Sequence, residues 1–152
     1  MSIPMDLAIY DSGGQLAAVV EVKAKRGTSR TWAAEFRRNL LTHGGNYRPI
    51  YFLIVTPDRI YLWKNAGTIP QILDPDYEID ARLIFKPYLD AAHLGEDRIS
   101  GGAFEIIVMS WLNRLTIAPS FDDDLPEHEK LLMASGLLDV LRDGKVEQEI
   151  AV

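Results

Sequence analysis

Along the chain, apolar residues first gather in short runs of strand length, then recur at helical spacing, and the changes fall at glycine, proline and serine. Residues 5–11 and 16–23 read as two strands joined at Gly13-Gly14, which predicts a hairpin. The second run is nearly continuous in Ala and Val, as in a strand covered on both faces. Gly27-Thr28-Ser29 ends the pattern. Thr31 is then placed to cap a helix over about 32–43, whose apolar stripe is Trp32, Phe36 and Leu40, with Gly44-Gly45 as its stop. Ile50 to Thr56 is another buried run, and Pro57-Asp58 turns it into a shorter strand, Arg59-Ile-Tyr-Leu-Trp63.

The second half reads as helices. Residues 64–81, rich in Gly, Pro and Asp, are expected to be a loop. A short helix is expected near Lys86-Pro87, because proline suits a first helical turn. Ser100 should cap a stronger helix carrying Phe104, Ile107, Val108, Trp111, Leu112 and Leu115. A last helix is expected from Pro126 to Arg142, ended by Gly144, and the final eight residues are expected to fray. Trp32, Trp63 and Trp111 all lie on apolar stripes and read as core.

With 152 residues the chain is long enough for a single domain, 1–152, with its own core. Zero cysteines exclude disulfides, thiolate chemistry and cysteine-ligated zinc. No apolar run approaches the roughly 18 residues that span a bilayer, and no signal peptide opens the chain, so a cytoplasmic, bacterial-type protein is expected. The net charge of −6 argues against indiscriminate coating of nucleic acid. Its distribution changes that picture. Between Glu21 and Arg48 seven basic side chains face two acidic ones, whereas from Asp122 onward nine acids face three bases. A phosphate backbone can dock on the first stretch while the acidic tail turns away or covers it.

That basic stretch also holds the candidate chemistry. Asp6 on the first strand is followed fifteen positions later by Glu21-Val22-Lys23 on the second. Side chains alternate along a strand, so Glu21 and Lys23 share a face and Val22 takes the other. An antiparallel hairpin would bring Asp6 beside them. Two carboxylates and an ammonium then meet at one point, a setting for a hard divalent cation and a water that must lose a proton. As plain structure, Asp6 would be a turn or cap residue and Glu21 and Lys23 an exposed cross-strand ion pair, but charges set within a run of Ala and Val need a polar cleft.

The residues Asp6…Glu21-Val22-Lys23, followed by the helix Trp32-Ala-Ala-Glu-Phe-Arg-Arg-Asn-Leu-Leu41 and the strand pair Tyr51 to Trp63, resemble the PD-(D/E)XK nuclease superfamily. They are similar to the nuclease-like domains of type I restriction R subunits. The resemblance covers about residues 3–64 as a nuclease-like core, with residues 82–145 as a helical extension. It implies an α/β fold, a restriction-endonuclease-like mixed central sheet flanked by helices. It further implies Mg²⁺ or Mn²⁺ held by Asp6, Glu21 and the Val22 carbonyl, with Lys23 assisting the attacking water in hydrolysis of DNA. Lys25, Arg26, Arg37 and Arg38 would contact phosphates without reading sequence. Glu35 would add a third carboxylate or simply pair with Arg38.

Two departures from the superfamily stand out. A helix and a strand normally precede the strand with the aspartate, and that helix often supplies another acid, yet only five residues precede Asp6. Either Met1 is a truncated or misassigned start, or the sheet is completed differently, for instance by a second copy on the open hairpin edge. The helix also carries Glu35 and Asn39 where relatives often have glutamine and tyrosine. Both departures, with the acidic balance, favour the rival expectation of a nuclease-like module kept for interaction or oligomerisation. RNA is not distinguished from DNA as substrate. His43, His93 and His128 are too dispersed to form a ligand set, and Asp122-Asp-Asp124 lacks the spacing of a calcium loop, so helix-dipole stabilisation explains it better.

Overall fold

The computed structural model describes residues 5–43, 49–94, 99–117 and 127–149. In chain order the elements are β1 (Leu7–Tyr10), β2 (Leu16–Val22), α1 (Arg30–Leu41), β3 (Tyr51–Val55), β4 (Arg59–Lys64), β5 (Tyr77–Asp80), α2 (Arg82–Ala91), α3 (Gly101–Ile117), α4 (Glu127–Ser135), α5 (Leu137–Leu141) and β6 (Lys145–Gln148). Among the described residues this is an α/β protein with one six-stranded mixed sheet, ordered β5-β4-β3-β2-β1-β6, and five helices.

The β1–β2 hairpin forms as expected. Asp11 sets its turn, Oδ1 accepting from the Gly13 and Gln15 amides at 2.9 Å. The strands pair antiparallel from Leu7 opposite Val20, with a bulge between Ile9 and Tyr10. From β2 the chain crosses through α1 to β3, which returns parallel to β2. The α1 cap is Ser29, whose Oγ accepts the Trp32 amide at 3.1 Å, so the helix begins two residues before the expected Thr31 cap takes effect. Its expected stop at Gly44-Gly45 lies outside the described residues.

Each face of the sheet has its own core. On one, Val19, Phe52, Ile54, Tyr61 and Trp63 pack with Ala33 of α1. On the other, Leu7, Ile9, Val20 and Leu53 meet Phe85, Phe104 and Trp111 from α2 and α3 and Leu132, Leu137 and Leu138 from α4 and α5. Phe85 sits edge-on to both Phe104 and Trp111, with ring centroids 5.2 and 5.5 Å away.

Several expectations are corrected. Residues 77–80, expected to be loop, form β5 against β4, with only Ile79 buried. Arg82 rather than Lys86 opens α2, so Pro87 sits inside the helix. Ser100 does act at the start of α3, accepting the Ala103 amide at 3.2 Å. The single helix expected up to Arg142 is two: Gly136, at φ 87°, separates α4 from α5. Pro126, its expected start, lies outside the described residues, as do Asp122 to Asp124. The segment expected to fray instead contains β6, which pairs antiparallel with β1 from Leu7 opposite Gln148 to Tyr10 opposite Lys145. The hairpin edge, one alternative for which was pairing with a second copy, is covered by strand β6 of the same chain.

Candidate functional site

The hairpin register decides the site. With Leu7 opposite Val20, Asp6 stands beside Glu21 at the end of β1 and β2. The Asp6 backbone is held on both sides, its amide donating to the Val20 carbonyl at 3.2 Å and its carbonyl accepting the Glu149 amide at 3.0 Å. The Asp6 carboxylate accepts the Val22 amide through Oδ2 at 2.7 Å. Strand alternation places Glu21 with Val19 on the α1 face, while Val22 packs into the opposite core.

Glu21 is 8% exposed. Burial pushes its carboxyl up to about 8, and the neighbouring Asp6 charge pushes the same way, as does the hydrogen bond between the two acids. Lys23 opposes them, and Glu105 adds a smaller upward push. Glu21 therefore titrates close to neutrality, the range useful for moving protons. Lys23 is anchored through its amide to the Val55 carbonyl at 3.0 Å, and its Nζ lies 5.1 Å from the centre of the Phe36 ring.

Glu105 was missed by sequence reasoning. It is the only acid in α3, and the helix brings it towards Asp6 from the far side of the sheet. Burial raises its carboxyl, the Asp6 charge raises it further, and a hydrogen bond with Gln148 of β6 opposes both. The available signal was a lone acid in an apolar helix, but Glu105 lies 84 positions after Glu21 in the chain and nothing local ties the two together.

The remaining candidates separate. Arg37, expected at a phosphate, is 0% exposed. Its guanidinium lies over Phe52 and Trp63 and donates through Nη2 to the Gly67 carbonyl at 3.0 Å and the Ala66 carbonyl at 3.4 Å, tying α1 to the segment after β4. Glu35 is exposed on α1 and, among the described residues, makes no ion pair with Arg38, which donates to Asn39 Oδ1 at 3.3 Å. Lys25 and Arg26 are exposed on the link from β2 to α1, and Lys25 Nζ lies 5.4 Å from the centre of the Trp32 ring. Trp63 and Trp111 are core as expected, whereas Trp32 is only half-buried. His43, His93 and His128 sit near the ends of separate helices.

Among the described residues no three His, Asp or Glu side chains converge to hold a metal ion. Asp6 and Glu21 nevertheless fit a hard cation of the magnesium type, which takes one or two carboxylates and keeps water on its other positions. Their chemistry supports the fit, since two adjacent acids, one of them buried, need a proton or a cation between them. No protein-family model, curated protein or solved structure matches the chain.

Proposed function

We propose that the protein is a divalent-cation-dependent phosphodiesterase acting on DNA, built on a restriction-endonuclease-like core. The observation that carries this reading is the buried Glu21 carboxyl beside Asp6, with Lys23 on the same face of the same strand. Secondary support comes from the far end of the chain. Strand β6 pairs with β1 and α3 brings Glu105 towards Asp6, which supports a reading in which these elements stand in for the helix and strand that the resemblance expects ahead of the aspartate.

Asp6 and Glu21 would hold Mg²⁺ or Mn²⁺ together with the Val22 carbonyl. When bound, the cation polarises the scissile phosphate and acidifies a water. Lys23 orients that water and offsets charge developing on the phosphate oxygens. Lys25, Arg26 and Arg38 position the backbone.

The test is calorimetric titration of Mn²⁺ into the wild type and an Asp6→Ala/Glu21→Ala double variant, followed by incubation of both with supercoiled DNA. Cation binding and nicking should both vanish in the double variant. Wild type and variant behaving alike in both assays would leave an interaction module as the better reading.

A further inference from the structure

Beside the acidic pair, the α1 face carries two aromatic rings that the reaction does not use. Trp32 and Phe36, one helical turn apart, stand with ring centroids 5.2 Å apart, and both are only half-buried. Each is covered by a lysine from the segment that leaves the site: Lys23 Nζ over Phe36 at 5.1 Å, and Lys25 Nζ over Trp32 at 5.4 Å. Behind them Trp32 leans on Tyr61, centroids 6.5 Å apart, whose hydroxyl is fixed at 2.8 Å to Thr28 Oγ1. The rings are thus rigidly backed, accessible in part, and paired with ammonium groups.

We propose that this Lys23–Phe36–Trp32–Lys25 strip is a stacking platform that selects single-stranded DNA for the adjacent centre. Unpaired bases expose their faces to aromatic rings, and lysines released from the rings meet the phosphates between those bases. In a duplex those faces are taken up by neighbouring bases. Among the described residues the charge around the strip matches the occupant, since Lys25, Arg26 and Arg30 are exposed and Lys23 and Arg38 half-buried, against one exposed acid, Glu35. The proposal rests on the phosphodiester reading for the chemistry, but the strip binds without a cation, so the two can fail separately.

The test uses tryptophan fluorescence in EDTA. Trp63 and Trp111 are 1% and 0% exposed, so Trp32 alone can report a stacked base. An oligo-dT strand should quench the emission at a concentration where a duplex of equal length does not. Trp32→Leu should abolish the quenching and weaken oligo-dT binding about tenfold or more, the scale of one lost stack. Lys25→Gln, at an exposed position outside the core, should keep the quenching but flatten the salt dependence of binding. Equal quenching by strand and duplex, or full oligo-dT affinity in a folded Trp32→Leu variant, would overturn the proposal. Mn²⁺ binding to wild type and to the Asp6→Ala/Glu21→Ala variant, measured in parallel without DNA, reports on the acidic pair, which is no part of the strip.

Discussion

Glu21 is itself buried on the α1 face of β2, in line with Val19, so its carboxyl has little water to stabilise a charge. The folded carboxyl holds its proton to about pH 8, whereas the free group releases it near 4.5. Its folded value is raised, so the stability it contributes is complete below pH 4.5 and is lost progressively up to pH 8. Thermal melts in EDTA should therefore fall in midpoint across that window. Glu21→Gln should flatten the decline and be more stable than wild type at pH 8, by a few kcal/mol. A cation replaces the same proton, so Mn²⁺ affinity should climb with pH up to about 8 and then level. A pH-independent affinity would mean that Glu21 is not a ligand. Arg37 shows the opposite lesson, that a basic residue in a basic stretch need not face solvent. It lies one residue after Phe36 on a helix with rings on both sides, and only the fold reveals that Phe52 and Trp63 close over it.

At the scale of elements, the parts legible in the sequence were those with long apolar runs: β2, β3, β4, α1 and α3 carry enough consecutive or periodic hydrophobics to declare themselves. The edge strands did not. Tyr77-Glu-Ile-Asp80 and Lys145-Val-Glu-Gln148 each bury a single aliphatic side chain, Ile79 or Val146, because an edge strand with one wet face needs no more. The pairing of Asp6 with Glu21 was readable from hairpin register alone, while Glu105 was not, since its approach depends on β6. The break between α4 and α5 was hidden for another reason. Gly136 sits among good helix formers, and its need arises from Tyr51, whose hydroxyl donates to the Ser135 carbonyl at 2.9 Å. A Cβ on Gly136 would lie 2.8 Å from the Tyr51 hydroxyl oxygen, at a φ of 87° that side chains disfavour. Gly136→Ala should cost about 2 kcal/mol or more. Part of that cost should disappear in a Tyr51→Phe background, measured as a coupling in a double-mutant cycle of chemical melts. Simple additivity would assign the whole cost to the backbone.

For the molecule as a whole, the decisive feature is that the C-terminal strand closes the sheet beside the first one. Gly144 permits that closure, since a Cβ there would lie 2.5 Å from the Tyr10 carbonyl oxygen. Strand β6 then holds the site from outside: the Glu149 amide grips the Asp6 carbonyl, and Gln148 engages Glu105. The acidic end of the chain, which charge alone would set apart from the basic stretch, is thus stitched to the strand that opens the candidate centre. A chain ended after Asp143 would lose both contacts and uncover the β1 edge, whose free amides and carbonyls would seek another strand. Such a truncation should melt at lower temperature, bind Mn²⁺ more weakly than the full chain, and associate into dimers or larger species visible by light scattering after size-exclusion chromatography. Adding a synthetic peptide of residues 144–152 should reverse the association, because the edge would again be filled by the strand it was built for. A monomeric truncation with undiminished Mn²⁺ affinity would separate β6 from the site and leave Asp6 and Glu21 positioned by the hairpin alone.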